Sequence, residues 1–463
     1  SIDQAHTCQP IHRNGPMIPP KPTSRDGRVG LFGYMRRFRA DILSAQPARL
    51  YRAWMAEFRT PFFRSYMMND PQLIDIVLKE RPDDFPKSDR VREGLAPLLG
   101  RSVFVTNGAE WKRQRRIIDP AFAGGRLRDA FPGMLDAAQA MIERATEGEH
   151  EIEELASYAA ADVIFRTLFS VPIEDALAAQ VFREFRNYQR TQPLLNIAAL
   201  IPMPRWMPRI HRRRTLAAAR SIRSAITALV DRRAVQIEDG SAPDDLATKI
   251  MTFADPDTGH RFSVPEMVDQ VAIFFLAGHE TSASALAWAL YLLATHEEAQ
   301  DRVAAEATRD WHTFKFSDLS RLPYTRDVFR ETLRLYPPVP MMVRETTRPE
   351  TFRNRQAPTG AQIVLSPWHL HRHERMWDNP DGFDPDRWQT GATRESARQA
   401  YMPFSAGPRV CTGAGFAMAE GMLLLARLIG AYRVAPIGDP PVPVAHLTVR
   451  SRDGIRLRLT LRQ

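Results

Sequence analysis

A cysteine flanked by glycines, with an arginine two residues before it, is a set of residues suited to holding a metal. Cys411 lies in the run Phe404-Ser-Ala-Gly-Pro-Arg-Val-Cys-Thr-Gly413. A thiolate is a metal ligand and a nucleophile in a way that the thiol is not. Gly407 and Gly413 let the backbone come close and turn N–H groups toward the sulfur. A helix starting near Ala414 sets its positive end beside a thiolate and lowers its pKa. Arg409 can pair with an anionic group of a cofactor. A buried cysteine in a turn is the plainer reading, but it gives the glycines, the arginine and the aromatic no role. The other cysteine, Cys8, lies in a proline-rich start, so no disulfide framework is expected.

Other residues have spacings that suit chemistry. Ala277-Gly-His-Glu-Thr281 falls inside the apolar stretch 271–294. There the adjacent Glu280 and Thr281 offer an acid and an alcohol for moving protons. Gly278 within a helix costs about 1 kcal/mol relative to alanine, and packing alone can justify it. Glu331 and Arg334 share one face of a helix that stops at Pro337-Pro338. On their own they describe an ordinary ion pair. Trp111-Lys-Arg-Gln-Arg115 reads as a basic amphipathic helix. His369, His371 and His373 alternate as a zinc site on a strand requires, and they are read here as structural.

The cysteine run matches the Phe-x-x-Gly-x-Arg-x-Cys-x-Gly signature of the cytochrome P450 superfamily position by position. The chain resembles that family from about residue 40 to 463. The resemblance implies one large, mainly α domain with small β-sheets over 41–463, after a proline-rich arm over 1–40. It implies haem b (iron protoporphyrin IX) with Cys411 as the axial ligand of the iron, a thiolate that favours O–O cleavage. Phe404, Gly413 and Ala277 match positions beside the cofactor. Trp111, Arg115, Arg344 and Arg409 match positions that bind haem propionates. Thr281 and Glu280 match the family's oxygen-side threonine and the acid that relays protons to it. Glu331 and Arg334 match its Glu-x-x-Arg. Arg387, in Phe383-Asp-Pro-Asp-Arg-Trp388, matches the arginine that joins them in a buried network supporting the cysteine loop. His371-Arg372 precedes Trp377-Asp-Asn-Pro380, as in many members, and His279 falls at a variable position.

The implied reaction is insertion of one atom of O2 into a hydrophobic small molecule, by C–H hydroxylation or O-dealkylation. NAD(P)H electrons would arrive through a ferredoxin and its reductase, or through a flavoprotein reductase. The chain carries no flavin or iron–sulfur signature of its own. A non-catalytic haem-thiolate sensor has no need of the Glu280–Thr281 pair, and peroxide-using members often lack it. The substrate-facing segments would be 88–106, 185–208, the helix near Phe274 and Ala277, and 339–342. They are mostly apolar, with Leu95, Leu98, Leu99, Leu194, Leu195, Ile197, Leu200, Phe274, Val339, Met341 and Met342.

These residues need a scaffold to position them. Ser263 and Glu266 have capping-box spacing, and a helix from 264 to about 295 would be about 48 Å long. Three-to-four periodicity predicts further helices over 128–147, 152–170, 212–238, 284–308, 325–336 and 414–432. Strands are expected at 61–67 and 361–365, and a terminal hairpin around Asp453-Gly454. With 44% hydrophobic and 25% charged residues, the 463-residue chain can bury a core without staples.

The net charge is +9, and only six of the 63 basic residues are lysines. The charges are dispersed, and no nucleic-acid motif accompanies them, so no nucleic acid is expected as a partner. Lys112, Arg113 and Arg116 are expected to dock an acidic electron donor. The first 30 residues lack the apolar core of a signal or anchor. A cytoplasmic monomer of bacterial type is expected, with the proline- and arginine-rich 201–214 offering at most weak peripheral membrane contact.

Overall fold

Ser263 opens the longest helix, Val264–Thr295, with the capping box its spacing predicts. Of the 32 residues in this helix, 22 are buried, so it is a core element with apolar residues all round. It runs as a regular helix past Gly278 and Thr281 and ends at His296, where Glu297–Glu306 begins a new one. The periodicity over 284–308 hides that break, because no glycine or proline marks it. Gly278 is also a packing residue. A Cβ there would lie 2.9 Å from Ile164 Cδ1 on the neighbouring helix Ile152–Phe169.

The computed structural model describes residues 18–27, 29–59, 64–191, 213–308 and 310–463. Around the central helix pack Ile152–Phe169, Arg213–Glu238 and Ala414–Ala431. The architecture is one mainly helical domain with small sheets. A four-stranded sheet takes the order Met55–Arg59, Arg64–Met68, Gln362–Leu365, Met342–Glu345. Its middle pair is parallel and its outer pairs antiparallel. A second apolar cluster, including Tyr66, Ile363, Trp377 and Trp388, joins this sheet to the chain that leads into the cysteine loop. Among the described residues Ala414–Ala431 alone is long and apolar enough to cross a membrane, and 61% of it is buried inside the fold.

Two expectations change. The arm does not extend to residue 40. From Ile18 the described chain is docked, with Lys21 on Asp381 at 2.6 Å and Pro20 O accepting from Tyr336 at 2.7 Å, and Leu31–Ala40 is a helix. The terminal hairpin does not form. The turn at Gly454 is present, with φ +82°, but Val449–Ser451 pairs with Pro443–Ala445 while Arg456–Leu461 lies between Gly148–Glu151 and Tyr432–Pro436. Two partners bury Leu457 and Leu459 better than one short strand would. His369 lies in the helical turn Pro367–Leu370, His371 caps it and His373 follows it.

Candidate functional site

A buried charge network holds the chain upstream of the cysteine loop. Arg334 donates to Glu331 through Nε at 2.9 Å and Nη2 at 2.7 Å. Its remaining N–H groups reach the carbonyls of His371, Pro380 and Gly382. Arg387 Nε and Trp388 Nε1 meet the same carboxylate at 3.0 and 3.1 Å. Glu331 and Arg334 are fully buried and Arg387 nearly so. The three residues named from the sequence thus form one network, which fixes residues 371–388. The histidines serve the same segment separately. Ser366 hydrogen-bonds His369, His371 Nε2 accepts from the Met402 N–H, and His373 stacks on Trp54. Burial holds His369 and His371 neutral, with pKa values near 3. Among the described residues no His, Cys, Asp and Glu cluster could hold a metal ion by itself.

Within the loop, Gly407 has φ +68°, and a Cβ there would overlap Leu78 O at 2.0 Å, so only glycine fits. The Cys411 N–H donates to Phe404 O at 2.9 Å, which closes the loop. The helix Ala414–Ala431 then starts three residues later. Cys411 is exposed and lines a cavity. Burial raises the thiol's pKa, and the Gly413 N–H and the Arg115 charge pull it down. A coordinated cation would complete the compensation, since a thiol bound to a metal ion loses its proton.

The cavity measures about 1460 Å3. It is lined by Cys411, Phe404, Gly413, Ala277, Thr281, Phe274, Val339 and Met341, and by Trp111, Arg115, Arg344 and Arg409. Leu95 and Met342 line it too, but Leu98 and Leu99 belong to the core. Leu194, Leu195, Ile197 and Leu200 lie outside the described residues.

One wall concentrates positive charge. The cations of Arg115, Arg409 and Lys87 lie 5.8, 5.1 and 5.7 Å from the Trp111 ring. Arg344 is buried close by, and burial together with Arg409 lowers its pKa to about 10. Arg115 pairs with Asp119 at 2.7 Å, but Nε of Arg344 and of Arg409 is buried with no acceptor among the described residues. A cofactor that brings two carboxylates fits this wall, and the thiol at 411 fits its metal. Haem meets both conditions.

Lys87 was missed by the sequence reading. Its Nζ donates to Val103 O at 2.6 Å and Thr106 O at 3.2 Å. Burial and the charges of Arg344, Arg409 and Arg115 hold its pKa well below the ordinary lysine value. The available signal was a lysine in a chain that otherwise uses arginine.

Thr281 and Glu280 part company. Thr281 lines the cavity and its hydroxyl donates to the Ala277 carbonyl one turn back. Glu280 is one step of about 100° further round the helix and does not line the cavity. It faces a polar cleft of about 220 Å3 that also contains Glu153, Ser157, Arg186 and Arg450. There it pairs with Arg450 at 3.2 Å and accepts from Thr448 at 3.3 Å. Burial raises Glu153 in that cleft to about 7. His279 hydrogen-bonds Ser157 at 2.6 Å and is kept neutral by burial, so it is a packing residue. A second acid was missed on the cavity side. Glu420, a lone carboxyl in the apolar helix after Cys411, accepts from Ser282 at 3.1 Å. Burial pushes its pKa to about 8, so it carries a proton at neutral pH.

The basic helix Gly108–Phe122 does not present free cations as expected. Lys112 pairs with Asp83, Arg113 with Glu266, and Arg116 with Asp255 at 2.6 Å. The acids come from distant parts of the chain and neutralise the face that spacing assigned to an acidic partner.

The sequence profile of the family described as Cytochrome P450 matches residues 54–456. The chain is 31% identical over 451 residues to the Cyclooctat-9-en-7-ol 5-monooxygenase of Streptomyces melanosporofaciens, covering 92% of this chain and 95% of that protein. It is 30% identical over 473 residues to Cytochrome P450 4A22 of Homo sapiens, covering 93% and 86%. The crystal structure of the cytochrome P450DA heme domain superposes with a TM-score of 0.76 at 24% identity, over 96% of this chain and 98% of that one.

Proposed function

Because the chain belongs to the cytochrome P450 family of haem monooxygenases, we propose that it hydroxylates a C–H bond of a hydrophobic small molecule with electrons from a separate protein. One observation carries this reading. Cys411 and Thr281 open onto the same cavity, and Phe274, Ala277, Val339 and Met341 line the space with them. Haem bound through the Cys411 thiolate supplies O2 activation and favours O–O cleavage. The cation wall of Arg115, Arg344, Arg409 and Lys87, gathered around Trp111, would hold the propionates of haem. Thr281 holds a hydroxyl proton at the oxygen side of the cavity. Glu280 draws protons from the polar cleft, and the apolar lining keeps bulk water from the reacting centre. The relative named as a monooxygenase of cyclooctat-9-en-7-ol supports the reaction class.

The electron donor is a ferredoxin with its reductase, or a flavoprotein reductase, drawing on NAD(P)H. With the cations of the basic helix paired, that helix is not assigned as its dock.

Thr281→Ala tests the proton path. The variant keeps haem and substrate binding, and product formed per NAD(P)H consumed falls by about ten-fold while released peroxide rises. Positioned proton donors contribute roughly 10²–10⁴-fold, and the lower figure allows for water entering the space left by the hydroxyl. The measurement is coupling in a reconstituted system. An unchanged ratio of product to NAD(P)H removes Thr281 from the mechanism.

A further inference from the structure

The end of the main cavity away from the cations is walled by helix faces that the proposed chemistry does not use. Trp111 and Arg115 stand near the start of the helix Gly108–Phe122 and Phe122 at its end, and all three line the cavity. The helix rises about 16 Å from Trp111 to Phe122. At that far end the Phe122 ring lies 5.8 Å from Phe274 and 5.3 Å from Phe416 between centroids. A charged wall at one end of the helix is therefore matched by an aromatic cluster at the other.

Three other helices complete the aromatic end. Val163, Ile164, Thr167 and Leu168 come from Ile152–Phe169, Leu246 from Leu246–Thr252 and Ile273 from the central helix. The spacing of the first four puts them on one helix face. Leu246–Thr252 packs on Gly108–Phe122 and on Ile152–Phe169, which packs in turn on the central helix. Val163, Leu168, Leu246 and Ile273 are all buried. Thr167 is the one polar residue of the six, and its hydroxyl donates to Val163 O at 2.7 Å. The recess these residues form thus asks for no water. An apolar space of this kind stays dry and takes up small apolar molecules such as xenon.

Gly278 lines the cavity one turn before Thr281. A Cβ there would lie 2.9 Å from Cδ1 and 3.2 Å from Cγ1 of Ile164. The bare backbone of Gly278 therefore keeps open a passage beside Ile164 that alanine would narrow.

We propose that this recess is a binding site for a small apolar gas, from which O2 reaches the Thr281 side of the cavity past Gly278. The inference rests on the monooxygenase reading and adds a route for its gaseous reactant. A hydrophobic substrate seated along Val339 and Met341 fills the part of the cavity that those residues line. None of the six recess residues stands on that segment or on the four-stranded sheet, so a seated substrate leaves the recess free. Transfer of a small apolar solute from water into aliphatic surroundings is favourable.

The test uses the haem-loaded protein. Crystals pressurised with xenon hold a xenon atom among Val163, Leu168, Leu246 and Ile273. In solution the reduced protein binds CO as a stand-in for O2, and a laser flash releases it. Leu168→Phe fills the recess, and the return of CO from solvent slows about ten-fold, roughly 1.4 kcal/mol on the entry barrier. The fast return of CO that never left the protein loses amplitude as well. Xenon gas over a wild-type solution is a plug that needs no mutation, and it slows the same return as its pressure rises.

A crystal with no xenon in the recess overturns the site. A CO rate indifferent both to Leu168→Phe and to xenon overturns the route, and if the variant does not fold the xenon series decides alone. The spectrum of the reduced protein under CO keeps the two readings apart. If the thiolate signature is present and the recess takes no xenon, the recess alone fails. If the signature is absent, the haem-thiolate reading fails and the role of the recess fails with it.

Discussion

Replacing Cys411 by alanine is expected to abolish monooxygenase turnover and to remove the red-shifted Soret band of the reduced, CO-bound protein. The loop has one donor to lose. Gly407 and the Phe404 carbonyl shape the turn around this sulfur, and the Gly413 N–H and the start of Ala414–Ala431 are directed at it. Alanine keeps the turn, because the Cys411 N–H still reaches Phe404 O. Protein yield and helical content therefore stay near wild type while the thiolate spectrum disappears. Cys8→Ala is the matched control and keeps the band. A folded Cys411→Ala protein that retains the thiolate spectrum refutes the ligand assignment.

The second large effect is structural and begins far from the sulfur. Glu331→Gln keeps the shape of the side chain and removes its charge. Arg334 and Arg387 then share a neutral amide in a site where the three side chains are at most 5% exposed. Removing one partner of a buried ion pair costs about 3–5 kcal/mol, because the remaining charges cannot reach water. That is a large share of the 5–15 kcal/mol by which domains are ordinarily stable. The segment 371–388 loosens, and with it the approach to the cysteine loop. The expected result is low recovery of haem-loaded protein and a clearly lower thermal midpoint. Glu331→Asp retains the charge and recovers part of the loss. Wild-type haem content and midpoint in Glu331→Gln would show that the network does not support the loop.

The features legible in the sequence share a physical reason. The cysteine loop, the Ser263 capping box and the Glu331–Arg334 pair are local devices, written within ten residues or fewer. Arg387 was reachable because its segment resembles a known one. What could not be read depends on distant partners. Asp83, Glu266 and Asp255 neutralise the basic helix from 29, 153 and 139 residues away. Lys87 reaches the cavity only after the sheet and the loops have folded around it. Arg456–Leu461 chose two non-adjacent strands over its neighbour across the turn, a choice fixed by what buries Leu457 and Leu459. The direction of Glu280 was available in principle, since consecutive helical residues point about 100° apart.

That angular step separates a charged cleft from a greasy workroom. The central helix acts as the partition between them, with Thr281 facing the apolar room and Glu280 facing the wet one. Each compartment can therefore drift on its own. Changes at Phe274, Val339 or Met341 resize the room without repainting the acid–arginine pair behind the partition. Changes at Arg450 or Glu153 alter the cleft without touching a wall of the cavity that holds Cys411. A single turn of helix thus keeps the lining of the apolar cavity independent of the charged cleft behind it.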